Sequence, residues 1–167
     1  AQVVGVVSDI HHAFSLQRAA QHNIASHIVD ATNTIRSEFN TQLASAVQAF
    51  QPDIVVLAGF MRLLTMDFLA HFPQRVINVH PALPGELPGT HAIARAFDEF
   101  VAGKRTHTGV MVHLVPDEGV DNGPVIESAV VPIHPSDSLA DLEQRMHATE
   151  HQLLINALTQ LTKEHTP

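Results

Sequence analysis

Asn78 and His80 close an apolar run in the segment Asn78-Val79-His80-Pro81. Side chains two apart on a strand share a face, so an amide donor and an imidazole would point into one pocket at the strand end. That pairing suits acyl transfer. An amide N–H can donate to a developing oxyanion, and an imidazole can donate as imidazolium or shuttle a proton. An acid is also needed, to orient the imidazole and take the proton that an attacking amine loses. Asp121 is the best candidate, in the acidic, Gly-rich turn Asp117-Glu118-Gly119-Val120-Asp121-Asn122-Gly123-Pro124. Taken singly, an Asn-x-His at a strand end is more often structural, and Asp-Asn-Gly is usually only a turn. Spacing alone therefore reads as an α/β domain equipped for acyl chemistry, with Gly59-Phe60-Met61-Arg62 as a third segment placed just after an apolar run.

The elements that must position these residues follow from periodicity. Short apolar, β-branched runs predict strands at Val3 to Val7, Ile24 to Val29, Ile54 to Ala58, Val76 to Val79, Gly109 to Val115 and Val125 to Val131. The runs at Val3 to Val7 and Ile54 to Ala58 read as buried. Helices are expected at Ala13 to His22, Arg36 to Phe50, Met66 to His71, Ala92 to Ala102 and Ser138 to Leu161. In the second of these, Phe39, Leu43, Val47 and Phe50 recur at helical spacing. Pro81 to Pro88, with three prolines and a glycine, is an ordered loop. Alternating strands and helices predict a mostly parallel sheet with helices on both faces. Ligands of such sheets sit at the carboxyl ends of strands, where the three segments lie.

The 167 residues, 45 % apolar and 16 % charged, suit one compact domain. No apolar run approaches the roughly 18 residues needed to span a bilayer, and Asp9, His11 and His12 interrupt the first run, unlike a secretory signal. The cysteine-free composition excludes disulfides and thiolate chemistry and fits a reducing cytosol, so a cytoplasmic protein is expected. A net charge of −8 without a Lys/Arg cluster argues against nucleic acid as a partner. The 13 histidines are scattered without metal-ligand spacing, so no metal is expected.

The runs DIVVLAGFMRLL (Asp53 to Leu64), VINVHPALPGELPG (Val76 to Gly89) and GVMVHLVPDEGVDNGPVI (Gly109 to Ile126) resemble the glycinamide ribonucleotide transformylases of the folate-dependent formyltransferases. Val6 to Ala19 resembles them more loosely, and the matches follow family order over nearly the whole chain. The co-occurrence of N-x-HP with D-x-GP is the most specific signal. The resemblance implies a Rossmann-like formyltransferase fold over a single domain, 1–167. The implied activity is direct formyl transfer from 10-formyltetrahydrofolate to the amine of glycinamide ribonucleotide, in purine synthesis and one-carbon metabolism. The implied partners are small molecules only, with a monomer or homodimer as the working unit. Asn78, His80 and Asp121 match the family's catalytic Asn, His and Asp. Met61, Arg62, Leu63 and Leu64, together with Val115, Pro116, Asp117 and Val120, match the walls of its folate pocket. Arg36 matches an arginine near the folate tail, and Glu150 a glutamate that meets the substrate ribose. His113 and Thr108 are expected to support the site.

The sequence also departs from the family. Members begin with a further strand, then a Gly- and Ser-rich loop opening a helix, which binds substrate phosphate through backbone N–H groups. The chain opens on Ala1 without that element, so it reads either as part of a longer protein or as a shortened relative that has lost, or altered, its amine substrate. Asp9, Gly85 and Met111 stand where Asn, Lys and Thr are common, and Glu99 to Thr106 is slightly longer than usual. Two further functions stay open: a formyltetrahydrofolate hydrolase-like enzyme using water, and a non-catalytic folate-binding relative.

Overall fold

A computed structural model describes residues 1–164; the remaining residues of the expected 1–167 domain lie outside the described residues. Chain order is β1 (Val6–Ser8), α1 (Phe14–Gln21), β2 (Ser26–Ile28), α2 (Arg36–Gln48), β3 (Val55–Leu57), α3 (Met66–Leu69), β4 (Val76–His80), α4 (Ala92–Val101), β5 (His107–Leu114), β6 (Val125–Pro132) and α5 (Leu139–Glu164). β1 and β2 pair in parallel as a two-stranded sheet. The larger sheet has the order β3-β4-β5-β6. β3 and β4 pair in parallel, whereas β5 runs antiparallel to both of its neighbours. β3, β4 and β6 therefore point the same way and β5 alone opposes them, the arrangement of an α/β fold.

β4 feeds a core on each of its faces. Val76 joins Phe39, Leu43 and Val47 of α2 and Phe68, Leu69 and Phe72 around α3. Ile77, one residue on, joins Val110, Val112 and Val131 against Leu142, Met146, Leu153 and Ala157 of α5. This alternation is the period-2 geometry of a strand covered by helices on both sides. The start of α5 is defined by a reciprocal cap, with Ser138 N donating to Asp141 Oδ2 at 2.9 Å and Asp141 N to Ser138 Oγ at 3.3 Å.

Several boundaries are narrower than the apolar pattern predicts. Val3 and Val4 are exposed, not part of a buried strand, because pairing with β2 begins only at Val6↔Ser26. Ile24 lies outside β2 because its N–H bonds the Ala19 carbonyl and finishes α1. Val55 to Leu57 are half-buried, since β3 is an edge strand of its sheet. α2 and α3 stop short of Phe50 and His71, which close tighter turns onto Val47 and Phe68.

Candidate active site

Strand parity puts Asn78 and His80 on one side of β4, at its carboxyl end. His80 is 3 % exposed and Thr108 and His113 on β5 are also buried. Register sets Asn78 opposite His113 and His80 opposite Met111. Asp121 arrives from the turn between β5 and β6 with φ of +51°, a left-handed conformation that Asp tolerates better than most residues.

These groups form one hydrogen-bonded cluster. Asp121 Oδ2 accepts from Gly89 N at 2.8 Å and lies 3.3 Å from His80 Nδ1. Asp121 Oδ1 accepts from Asn78 Nδ2 at 3.1 Å. His80 Nε2 donates to the Leu87 carbonyl at 3.1 Å. The Leu114 carbonyl, 2.8 Å from His113 Nδ1, requires a hydrogen there, and His113 Nε2 lies 3.3 Å from Asn78 Nδ2 and 3.6 Å from Asp121 Oδ1. The Asn78 amide is thus turned toward Asp121 and His113 inside the cluster. Thr108 Oγ1 is buried without a hydrogen-bond partner and does not join it.

Burial pushes His80 below its ordinary value of 6.5, although Asp121 and the Leu87 carbonyl pull the other way. Burial also works to raise Asp121, but the His113 ring, the Gly89 N–H and His80 outweigh it and hold the carboxyl below its ordinary 3.8. A carboxylate so stabilised is a better orienter of an imidazole than a free-standing base.

A cavity of about 460 Å³ opens over the cluster. It is lined by residues 57–64, 78–81, 89–93 and 117–121, and by His113, Val115, His147, Glu150, His151 and Leu154. Of the residues singled out in the sequence, Met61, Arg62, Leu63, Leu64, Val115, Asp117, Val120, Asp121 and Glu150 line this cavity, and Arg36 and Pro116 do not. Arg36 instead reaches the back of the wall, its Nε 3.4 Å from the Leu63 carbonyl. Arg62 pairs with Asp9 at 2.6 Å and lies over the Phe39 ring at 5.2 Å, so Asp9 anchors the wall from β1. Burial raises Glu150 above its ordinary 4.5, partly offset by His147 and His151.

Other contributors carry weaker sequence signals. Asn40, fully buried, donates to the Arg36 carbonyl and accepts from Thr65 N, both at 2.9 Å, and so fastens the 61–64 wall to α2. Glu118 accepts from Met66 N at 2.9 Å and ties the 115–121 loop to the opposite wall. The Leu87 carbonyl and Gly89 N–H are backbone groups that no side-chain pattern reveals. His147 and His151 were not singled out in the sequence, although residues 147, 150, 151 and 154 fall on one helical face, the signal that would have found them. Among the described residues no cluster of three or more histidine or acidic side chains is arranged to hold a metal ion, and no helix is long and apolar enough to cross a membrane.

Residues 1–158 match the family model described as formyl transferase. The phosphoribosylglycinamide formyltransferase of Dictyostelium discoideum is 38 % identical over 94 % of this chain and 82 % of its own length. The Escherichia coli (strain K12) protein of the same name is 38 % identical over 90 % of this chain and 69 % of its own. In three dimensions the chain is similar to phosphoribosylglycinamide formyltransferase from Streptococcus pneumoniae TIGR4. The TM-score is 0.88 at 31 % identity, over 95 % of this chain and 86 % of that one. Glycinamide ribonucleotide transformylase 1 from Geobacillus kaustophilus superposes with a TM-score of 0.87 at 34 % identity, over 96 % and 84 %.

Proposed function

The chain belongs to the formyl transferase family, and on that premise we propose that it moves a formyl group from 10-formyltetrahydrofolate to the primary amine of glycinamide ribonucleotide. The Asn78–Asp121–His80 cluster, lining one cavity together with apolar and polar side chains, carries this reading. Leu57, Met61, Val115 and Val120, edged by the peptide groups of two loops, make the apolar slot that a flat heterocycle requires. His91, His147 and Glu150, which line the same cavity, offer hydrogen bonds to a ribose.

Bound formyl folate supplies an electrophilic one-carbon unit, and the chain's own residues do the rest. Amine attack places negative charge on the formyl oxygen. His80 stabilises that charge as imidazolium, oriented by Asp121. Asn78 turns one N–H from the cluster to the same oxygen. Asp121 assists loss of the amine proton, through water; the tetrahedral intermediate then collapses with cleavage of the bond between the formyl carbon and the folate nitrogen, which takes up a proton as tetrahydrofolate leaves. Holding the two reactants in one cavity provides much of the acceleration. The absence of cysteine fits the cytosol and the net charge of −8 fits small-molecule rather than nucleic-acid partners; a single domain over 1–167 acting as a monomer or homodimer belongs to the same reading.

The test is incubation of the full-length protein with 10-formyltetrahydrofolate, with and without glycinamide ribonucleotide. Release of tetrahydrofolate that depends on the amine, with formylated product by mass, is expected. Equal folate consumption without amine would replace transfer with hydrolysis. Folate binding without turnover would leave a binding module.

A further inference from the structure

The loop from Pro81 to Gly89 supplies two backbone groups to the cluster, the Leu87 carbonyl on His80 Nε2 and the Gly89 N–H on Asp121 Oδ2. Leu87 has φ of +44°, a left-handed conformation costly for a γ-branched side chain, so this loop has to be held in place. Two anchors hold it. Leu83 packs onto Gly109, where any added Cβ would collide with the leucine and with the Ala129 carbonyl. Glu86, next to Leu87, is gripped by Arg105, whose Nη1 lies 2.6 Å from Glu86 Oε2. The same guanidinium donates through Nε to Glu99 Oε2 at 2.8 Å and through Nη1 to the His107 carbonyl at 3.2 Å. Arg105 is therefore fixed to the end of α4 and the start of β5, and its side chain is only 13 % exposed.

We propose that Arg105 is a positioning residue: through Glu86 it fixes the Leu87 carbonyl on Nε2 of His80 and so sets the orientation of the catalytic imidazole. This rests on the reading of His80 given above. With Asp121 at Nδ1 and Leu87 at Nε2, both ring nitrogens face acceptors, an arrangement that favours a hydrogen on each. The titratable groups acting on His80 are Asp121 and His113, and Arg62, His91, Asp117, Glu118, His147, Glu150 and His151 line the same cavity. None of these touches Arg105, so the proposed control reaches His80 from outside the cavity.

Glu86→Gln and Arg105→Gln test it, with Glu99→Gln as the control. Glu86 and Glu99 are equally exposed, at 38 % and 39 %, and share the same arginine, but only Glu86 belongs to the loop. The His80 titration is followed by NMR in the full-length protein without substrates, using His80→Gln to assign its signals. Loosening the Leu87 carbonyl should lower the His80 midpoint in Glu86→Gln and Arg105→Gln and leave it in place in Glu99→Gln. Formyl transfer by the first two should fall on the order of 10- to 100-fold in kcat, with KM for folate unmoved. Arg105→Lys, which keeps the charge but loses the planar fork, should recover part of both. An unchanged midpoint in Glu86→Gln, or an equal shift in Glu99→Gln, would overturn the proposal. A lowered midpoint with unchanged kcat would support the positioning and count against His80 as a catalytic residue.

Discussion

The Asp121 carboxylate lies 3.3 Å from Nδ1 of His80, and the two side chains are 10 % and 4 % exposed. The contact joins a strand end to a left-handed turn residue. It is closed from the other side by the Gly89 N–H. A buried carboxylate with this many donors is held rigidly, and it holds the imidazole in turn.

The cluster should act as a unit. Asn78→Ala, His80→Ala and Asp121→Asn are each expected to lower turnover by about 100- to 1000-fold. Asn tolerates the left-handed backbone at position 121, so that variant isolates the carboxylate's charge. Folate affinity should change little, because the apolar slot is lined by other side chains, Leu57, Met61, Val115 and Val120. Steady-state kinetics with a parallel folate-binding titration check this; near-normal turnover in all three would remove the cluster from the chemistry.

Stability should fall on acidification. His80 is held below 6.5, so the unfolded chain binds that proton more readily, and stability declines as pH drops from 6.5 toward the folded value. Asp121, held below 3.8, adds a second loss as pH falls through its own folded value. Urea midpoints measured from neutral pH downward should show the first decline in the wild type. His80→Gln should flatten it. A wild-type protein that gains stability over that first window would contradict the burial argument.

Glu150 works in the opposite sense. Burial raises it, so the native chain binds its proton more readily, and ionisation penalises the fold as pH rises above 4.5. Glu150→Gln should therefore raise Tm at neutral pH while increasing KM for the ribonucleotide. A lower Tm together with an unchanged KM would show that Glu150 is neither penalised by burial nor in contact with substrate.

Asn40 offers a test of the folate wall alone. Asn40→Ala leaves Thr65 N–H and the Arg36 carbonyl without their partner in a buried place, at a cost of roughly 1–3 kcal/mol. KM for folate should rise and kcat should hold, as read by initial rates over a folate series. A fall in kcat with KM unchanged would place Asn40 in the service of the cluster instead.

The alternation of apolar runs with helical periods determined the α/β class, because burial on two faces of a sheet imposes those periods whatever the ligand. The N-x-HP strand end was equally legible, since strand parity alone puts Asn78 and His80 on one side. On α5 only Glu150 was expected, by resemblance; His147 and His151 share its helical face and line the same cavity. Other features belong to the tertiary structure. Periodicity could not place Val3 and Val4 outside the strand, because exposure depends on where β2 begins to pair. It could not show the Asn78 amide turned inward, because His113 and Asp121 meet it only through strand register and a turn. Nor could it reveal the Leu87 carbonyl and Gly89 N–H. Every residue carries those same backbone groups, and only the folded path of the chain decides which of them reach His80 and Asp121.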